Sequence, residues 1–458
     1  MSTEPPAAPR TPAPSGTPAA PGVAPAAPGV PSQRRTLTIL AVTQVLSGVG
    51  VASGIAVAPL VASALSGSDA IAGLTSTSGV VGAALAALPL ARVAGGRGRR
   101  PSLLLGFGAA TTGAVLAAVA VLVGSWPLLV VAMLFFGSGT AAGLASRFAA
   151  TDLATPEHRA RDLSVVVWAT TVGSVVGPTL AGIADRVAGP ALRLGGDGAA
   201  HHGTTTPSAA PFLLASVAFA LAAVVVAVWL RPDPLLVSRA TDVGPATRPG
   251  AAARAGTRDV VRAGWAVVSA SATARLALGA IVLSHLVMVG LMSMTPVHMN
   301  HGGATLQVVG LVISAHIAGM YALSPVVGWL ADRVGHARVL YLGGALLLAA
   351  AVVVAGAPGE DSARLTVGLV LLGLGWSCGL VAGSALLVDA TPGPSRTSVQ
   401  GLSDLMMNGG GAVGGILAGA IIGFSSYGAL AWGAAVLVVA CAVAALPLAR
   451  SARVETAR

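Results

Sequence analysis

The sequence predicts an all-α integral membrane protein with twelve transmembrane helices in two pseudo-symmetric six-helix bundles. Three observations support this fold class: an apolar composition, twelve long apolar segments, and a repeat that relates the two halves of the chain. Hydrophobic residues make up 55% of the 458 residues and charged residues only 9%, whereas a soluble domain carries about 25% charged residues. Most of this chain therefore needs lipid as its solvent.

Each predicted helix is a segment of about 20 largely apolar residues, the length that crosses the hydrocarbon core of a bilayer. Strands of a membrane barrel would be about 10 residues long and would alternate in polarity, which these segments do not. We number the segments spans 1 to 12. They lie near residues 37–63, 69–91, 102–123, 127–149, 164–184, 211–231, 275–297, 307–330, 339–356, 365–388, 402–424 and 429–449.

Polar stretches divide the chain at its ends and in its middle. The first stretch is rich in Pro, Ala, Gly and Ser, and it predicts a disordered tail rather than a secretory signal. Within the central stretch, residues 260–268 are compatible with a basic amphipathic helix on the membrane surface, but a flexible solvated linker is favoured. The predicted divisions are a cytoplasmic tail at 1–35, a first bundle at 36–231, a cytoplasmic linker at 232–274, a second bundle at 275–450 and a cytoplasmic tail at 451–458.

The arginines indicate how the chain is oriented in the membrane. The chain has 26 arginines and no lysine, and cytoplasmic loops of membrane proteins are enriched in basic residues. If the N-terminus is cytoplasmic, the outer loops hold only Arg186, Arg193 and Arg364. We therefore expect a multi-pass protein of the bacterial plasma (inner) membrane with both termini in the cytoplasm.

An internal repeat relates the two halves of the chain at an offset of 237 residues. Matched positions are Pro59 and Pro296, Gly173 and Gly410, Gly177 and Gly414, Gly182 and Gly419, and, with a slip of one residue, Gly139 and Gly375. Because each half has an even number of spans, both halves enter the membrane in the same orientation. This predicts a pseudo-twofold axis along the membrane normal, as in transporters built from two bundles around a central cavity.

A glycine- and arginine-rich motif follows span 8. Residues 328–338 read GWLADRVGHAR, and they resemble the cytoplasmic loop signature of the major facilitator superfamily. The resemblance, which extends over about residues 36–450, implies the major facilitator fold and transport by alternating access. It also implies that Asp332 meets the start of span 5. The residues expected in this gating loop are Gly328, Asp332, Arg333, Gly335, Arg338, Arg159 and Arg161.

The copy of this motif after span 2 is degraded. Basic residues remain at Arg97, Arg99 and Arg100, but Gly95 stands where the aspartate is expected. We therefore expect the two loops to make unequal contacts.

Span 5 carries a second motif, formed by Gly173, Gly177, Pro178 and Gly182. It resembles a motif associated with the drug-proton antiporter branch of the superfamily and favours export over import; the alternative is ordinary glycine-mediated helix packing. That branch often places an arginine early in span 4, and none is found there. Arg147 lies at the other end of the span, where a local ion pair with Asp152 is expected.

Polar side chains inside the membrane are candidates for a proton or substrate site. The candidates are His285 and His316 near mid-depth, with Gln44 and Asn408 nearer the cytoplasmic side. Histidine can carry a proton near its ordinary pKa of ~6.5. The alternative is a neutral histidine that bonds a backbone carbonyl or a nearby hydroxyl such as Ser284 or Ser314.

These features predict proton-coupled efflux of small lipophilic or cationic compounds. The expected partners are a small-molecule substrate, protons and the lipid bilayer, and a monomer is expected. One alternative is uptake or export of a polar metabolite. Another is transition-metal transport, because His285, Met288 and Met292 share one helical face. A third is a non-transporting membrane sensor, which would be expected to carry a soluble output domain.

Other function classes are disfavoured. Without lysine the chain has no P-loop, which excludes ATP-driven transport by this chain alone. No Ser-His-Asp or zinc-hydrolase spacing is found, so an enzyme is not expected, and neither is a cofactor or a bound metal. The net charge of +10 does not predict nucleic-acid binding, because the arginines lie in short loops between apolar segments. Cys378 and Cys441 lie within apolar segments and imply no disulfide framework.

Overall fold

The computed structural model describes residues 33–192, 208–241, 256–304 and 306–456. Residues 1–32 of the tail predicted at 1–35 and the middle of the linker, residues 242–255, lie outside the described residues. The first half of the chain forms α1 (Gln33–Ser66), α2 (Asp69–Arg97), α3 (Arg99–Leu122), α4 (Trp126–Ala149), α5 (Arg159–Ala188) and α6 (Ala210–Trp229). Two single-turn 3₁₀ helices, Pro156–His158 and Gly189–Leu192, flank α5.

The second half repeats this arrangement after two short helices, α7 (Pro234–Thr241) and α8 (Thr257–Ala270). The remaining helices are α9 (Ala272–His301), α10 (Leu306–Tyr321), α11 (Ser324–Val334), α12 (His336–Ala355), α13 (Ser362–Asp389), α14 (Arg396–Phe424) and α15 (Tyr427–Thr456), with a 3₁₀ turn at Gly393–Ser395. Two consecutive helices, α10 and α11, together make the eighth spanning unit.

Within the described residues, twelve helical units are long and apolar enough to cross a membrane, and no β-strand is found. Large apolar side chains point outward from these helices, among them Leu60 and Leu311, each 71% exposed. An outer surface of this kind is suited to lipid, since helices can bond all their backbone groups internally. The predicted all-α membrane fold is confirmed.

Each half of the chain has its own apolar core. In the first bundle, Phe107, Phe136 and Phe219 are fully buried or nearly so, while Trp376 occupies the core of the second. Matching glycines pack one pair of helices inside each bundle in the same way. Side chains at Gly173 and Gly177 of α5 would collide with the backbone of α1, and side chains at their repeat mates on α14 would collide with α9.

The linker contains a packed helix, which differs from the flexible segment favoured by the sequence. In α8, Val260 and Val268 are buried, and a Cβ at Gly264 would lie 2.8 Å from the carbonyl oxygen of Ser398 at the start of α14. Val260, Gly264 and Val268 are spaced by four residues, which places them on one face of α8. We call the end of the molecule where α7 and α8 lie the linker end.

Candidate functional site

The carboxylate of Asp332 joins the two bundles at the linker end. Its Oδ1 accepts a hydrogen bond of 3.0 Å from the backbone N–H of Ala160, and its Oδ2 accepts one of 2.8 Å from that of Arg161. These are among the first N–H groups of α5, which have no partner inside the helix and carry partial positive charge. The aspartate of the gating loop therefore caps a helix of the opposite bundle.

Asp389, at the end of α13, is a second carboxylate in this contact. It pairs with Arg159 across the bundles, and the Nδ1 of His336 lies 3.0 Å from its Oδ2. The Nε2 of the same histidine lies 3.5 Å from Oδ1 of Asp332. His336 thus lies between two carboxylates that both contact the start of α5.

Glycines shape the gating loop around these charges. A Cβ at Gly328 would collide with the side chain of Ser164 on α5, so only glycine lets α11 approach this closely. Gly335 has a φ of +102°, a left-handed conformation that favours glycine. Arg333 and Arg338, which were also predicted to belong to the gating loop, contact neighbouring residues of the same bundle. The Arg333 guanidinium stacks over Trp329, and Arg338 donates to the carbonyl oxygen of Val334.

The corresponding loop of the first bundle makes a different contact, and the two loops are unequal. Gly95 provides only a carbonyl oxygen, which accepts from Arg239. Arg99 forms a bidentate ion pair with Asp152 inside the first bundle, at 2.7 and 3.0 Å. It also reaches across to the second bundle, where it donates to the side chain of Gln400 at 2.7 Å. Burial raises the pKa of the Asp152 carboxyl, and the Arg99 guanidinium opposes that shift.

Arg147 forms a deeply buried ionic link between the bundles. Its guanidinium donates to Oδ1 of Asp404 at 2.7 Å and to the hydroxyl of Ser384 at 3.2 Å, and the arginine is only 1% exposed. The expected local ion pair with Asp152 is wrong, because Asp152 is held by Arg99. Arg147 connects α4 of the first bundle to α13 and α14 of the second.

Gln44 lies on α1 within the first bundle. Its amide donates to the hydroxyl of Thr170 on α5 at 2.8 Å and accepts from Ser146 on α4 at 3.0 Å. Ser146 directly precedes Arg147, so this amide network supports the helix that carries the buried arginine.

Four polar or small residues line one face of α14. Gln400, Asp404, Asn408 and Gly411 are spaced by four, four and three residues, which places them in one row. Asn408 donates to the backbone carbonyl of Asp404. A Cβ at Gly411 would lie 2.7 Å from the ring of His285, so His285 of α9 lies beside this row. Gly411 follows Asp404 by seven residues, which is about 10 Å along α14.

The ring of His285 is fixed by an aromatic neighbour. The indole N–H of Trp376 donates to Nδ1 of His285 at 2.9 Å, which leaves the proton of a neutral imidazole on Nε2. Tyr321 stacks edge-on against the same indole, with ring centroids 5.4 Å apart. Three aromatic side chains from α9, α10 and α13 therefore form one cluster in the second bundle.

His316 lies apart from this cluster, between α10 and α13. It is fully buried, and its Nδ1 lies 2.7 Å from the carbonyl oxygen of Leu369. Within the part of the chain that the structure describes, its Nε2 has no hydrogen-bond partner. The structure therefore places His285 beside the face of α14 that carries Asn408, whereas His316 is held against the carbonyl oxygen of Leu369.

The glycines of the span 5 motif pack α5 against α1 inside the first bundle. The hydroxyl of Ser53 on α1 donates to the carbonyl oxygen of Gly177 at 3.0 Å, and Pro178 lies within the helix. A Cβ at Gly182 would meet nothing within 4 Å. Two of the three glycines are thus needed for close packing.

Several charged residues of this site were not among the sequence candidates: Arg99, Asp152, Arg147 and Asp404. The sequence did contain a signal for these residues, because a charged side chain near a predicted span needs a partner. Over residues 33–192, 208–241, 256–304 and 306–456, no group of three or more His, Cys, Asp or Glu is arranged to hold a metal ion.

Comparison with known proteins places this architecture in a family. The profile described as Major Facilitator Superfamily matches residues 40–303 and 277–457. The chain is 39% identical to the "Uncharacterized MFS-type transporter YdeG" of Bacillus subtilis (strain 168), over 87% of this chain and 88% of the relative. It is 28% identical to the "Riboflavin transporter RfnT" of Brucella anthropi, over 77% of this chain and 80% of the relative.

Solved structures share the fold at low sequence identity. The human organic anion transporter MFSD10 (TETRAN) superposes with a TM-score of 0.70 at 16% identity, covering 90% of this chain and 98% of that one. The E. coli fucose:proton symporter FucP superposes with a TM-score of 0.63 at 13% identity, covering 89% and 98%. The chain belongs to the Major Facilitator Superfamily of membrane transporters.

Proposed function

We propose that this transporter exports small, largely apolar organic compounds across the bacterial plasma membrane in exchange for protons. The ion pair of Arg147 with Asp404 carries the proposal. Both side chains are buried, and the pair joins the two bundles. A proton on the Asp404 carboxylate would remove the charge that holds Arg147, so protonation and separation of the bundles would be coupled.

The linker end is the cytoplasmic end in this proposal. The loops at this end carry the excess of arginine, as cytoplasmic loops do. The contacts of Asp332, Asp389, Arg99 and Arg147 close this end, so the described state would receive protons and release substrate on the outer side. The glycine–proline motif of α5 supports export.

The charges of the site favour an apolar substrate over a permanent cation. Among the residues that the structure describes, the buried carboxylates are Asp152 and Asp404, and each is paired with an arginine. A cation entering the site would have to displace one of these pairs. In the proposal Asp404 carries the exchanged proton, while His285, Asn408 and Gln44 contact the substrate or relay the proton.

A polar, planar metabolite is the second candidate substrate. The cluster of Trp376, Tyr321 and His285 offers aromatic faces on which a flat heterocycle could stack. The relative named as a riboflavin transporter supports the same class. Measurement of transport with compounds of both substrate classes decides between the two candidates.

The test measures proton movement in inside-out membrane vesicles that have been acidified internally. Dyes, biocides, antibiotics and riboflavin are added in turn, and a fluorescent probe reports the internal pH. We expect alkalinisation with apolar compounds, abolished by Asp404→Asn and reduced by His285→Ala. Asp259→Asn, which changes an exposed carboxylate of α8, is the matched control.

Each outcome separates the hypotheses. Alkalinisation with riboflavin alone would replace the export of apolar compounds by metabolite transport. Normal transport by Asp404→Asn would remove the proposed proton site. Loss of transport with His316→Ala but not with His285→Ala would assign the contact or relay role to His316 in place of His285. No response to any compound, in folded protein, would contradict proton-coupled export.

A further inference from the structure

A large apolar cavity opens in the second bundle, away from the ion pairs between the bundles. It lies at the linker end between α9, α12 and α15 and has a volume of about 580 Å³, within the range of cavities that hold small ligands. Its walls are small or aliphatic, and include Gly279, Leu283, Gly344, Leu348 and Ala442.

A matched position of the first bundle faces an aromatic side chain. In the first bundle, the ring of Phe219 on α6 lies against Gly50 and Gly139 and fills the space between the helices. Gly375, the repeat mate of Gly139, lines the cavity, and a Cβ there would lie 2.8 Å from the side chain of Leu347 on α12. The part of α15 that lines the cavity supplies alanine, valine, cysteine and leucine side chains and no aromatic one. An unfilled space of this size forfeits the packing that stabilises protein interiors.

Two polar groups stand at the end of this apolar cavity. Arg275 lies in the first turn of α9, Tyr341 lies near the start of α12, and both are exposed and line the cavity. Among the residues that the structure describes, no acidic side chain lines the cavity and none pairs with Arg275. A guanidinium and a phenol in this position can bind a phosphate at the membrane interface.

The length of the cavity fits one half of a bilayer. Its lining residues on α9 run from Arg275 to Ser284, which is about 14 Å along the helix. The hydrocarbon core of a bilayer is about 30 Å thick, so the cavity extends from the interface towards mid-membrane within one leaflet.

We propose that this cavity is a binding site for an anionic phospholipid, with an acyl chain between α9, α12 and α15 and the headgroup phosphate on Arg275 and Tyr341. If the linker end is cytoplasmic, the lipid comes from the leaflet that is rich in anionic headgroups. Ser284 lines the cavity, and His285 follows it on α9, so the bound lipid would steady the helix that carries this histidine.

The test measures lipid binding to purified full-length protein by native mass spectrometry, with phosphatidylglycerol and phosphatidylcholine of the same acyl chains. Glycerol phosphate is added as a probe of the headgroup alone. We expect wild type to prefer phosphatidylglycerol, and Arg275→Gln to lower that preference about fivefold, the effect of one arginine near an anionic surface. Arg258→Gln on α8 is the control for loss of charge.

A second variant fills the cavity. A Cβ at Gly344 meets nothing within 4 Å, so Gly344→Leu should fold and should exclude both lipids. Gly433→Leu on α15 is its control, because its Cβ is equally free and does not line the cavity. Equal lipid preference in wild type and Arg275→Gln, undiminished binding by Gly344→Leu, or equal affinity for glycerol phosphate alone would each overturn the proposal. The measurement needs no transported substrate and is independent of the proposed function.

Discussion

At the scale of single residues, the unusual feature is a pair of buried charges between two bundles that must separate. Arg147 and Asp404 are 1% and 4% exposed. Desolvation of such a pair offsets much of the attraction between its charges, whereas removal of one partner costs about 3–5 kcal/mol. A hydrophobic contact would close the linker end equally well. We therefore attribute the ion pair to switching between the closed and open states of that end.

A double-mutant cycle measures this coupling. Asp404→Asn and Arg147→Gln should each lower the thermal unfolding temperature in detergent, because each leaves a buried group without its partner. The double variant should recover part of that loss, since neither charge remains, but it should not regain proton-coupled transport. Tryptophan fluorescence during heating reports the unfolding temperature.

Two results would contradict this interpretation. Additive effects of the two substitutions would show that the side chains do not interact. Proton-coupled transport by the double variant would show that the charges are structural only.

The partners of these charges could not be predicted from the sequence. Arg147 has an aspartate five residues further along, which made Asp152 the expected partner. The observed partner is 257 residues away, on a helix of the other bundle. Only the approach of α4 and α14 decides this pairing, and Arg99 occupies the nearer carboxylate.

At the scale of helices, close packing rests on glycines that the repeat had already indicated. A Cβ at Gly177 would lie 2.8 Å from Cβ of Ala52 and 3.0 Å from the carbonyl oxygen of Val49. The backbones of α1 and α5 approach each other here in the manner of small-residue contacts in membranes.

The two glycines of one motif provide a matched stability test. Gly177→Val should destabilise the protein by about 1–3 kcal/mol, the usual effect of overpacking, while Gly182→Val should change little because its Cβ meets nothing within 4 Å. Both substitutions add the same side chain to the same helix, so the difference in unfolding temperature isolates packing. Equal changes in unfolding temperature for the two variants would show that the loss of stability comes from valine within α5 and not from its contact with α1.

The linker helix shows what a local pattern leaves open. Val260 and Val268 mark one apolar face of α8, and the sequence allowed a helix there. The surface that buries this face belongs to α14 and is more than a hundred residues away along the chain. If that surface is not known, the sequence of this segment is equally compatible with a flexible linker.

At the scale of the whole molecule, Asp332 at the start of α5 should favour the state closed at the linker end. Its carboxylate accepts two backbone N–H groups, and charge-assisted bonds of this kind contribute about 1.5–3 kcal/mol each. Asp332→Asn should therefore raise the population open at this end, since a state loses population when its own contacts weaken.

Alkylation of a buried position reports that population. Ser164 is 0% exposed and lies beneath α11, so Ser164→Cys should react slowly with N-ethylmaleimide in a background of Cys378→Ala and Cys441→Ala. Asp332→Asn should raise the rate on the order of tenfold. Ser269→Cys, exposed on α8, should react equally fast with and without that substitution, and an unchanged rate at position 164 would show that Asp332 does not hold the end closed.

The sequence by itself determined the solvent, the number of spans and the duplicated architecture. These follow from composition, segment length and a constant offset, which are properties of the chain before it folds. It also indicated Gly173 and Gly177, because close helix contacts require small residues wherever they occur. The tertiary structure alone decided which charges pair across the bundles and where the second bundle leaves a cavity. Both depend on which helices meet, and no local pattern in α4, α9 or α15 specifies the helix that will face it.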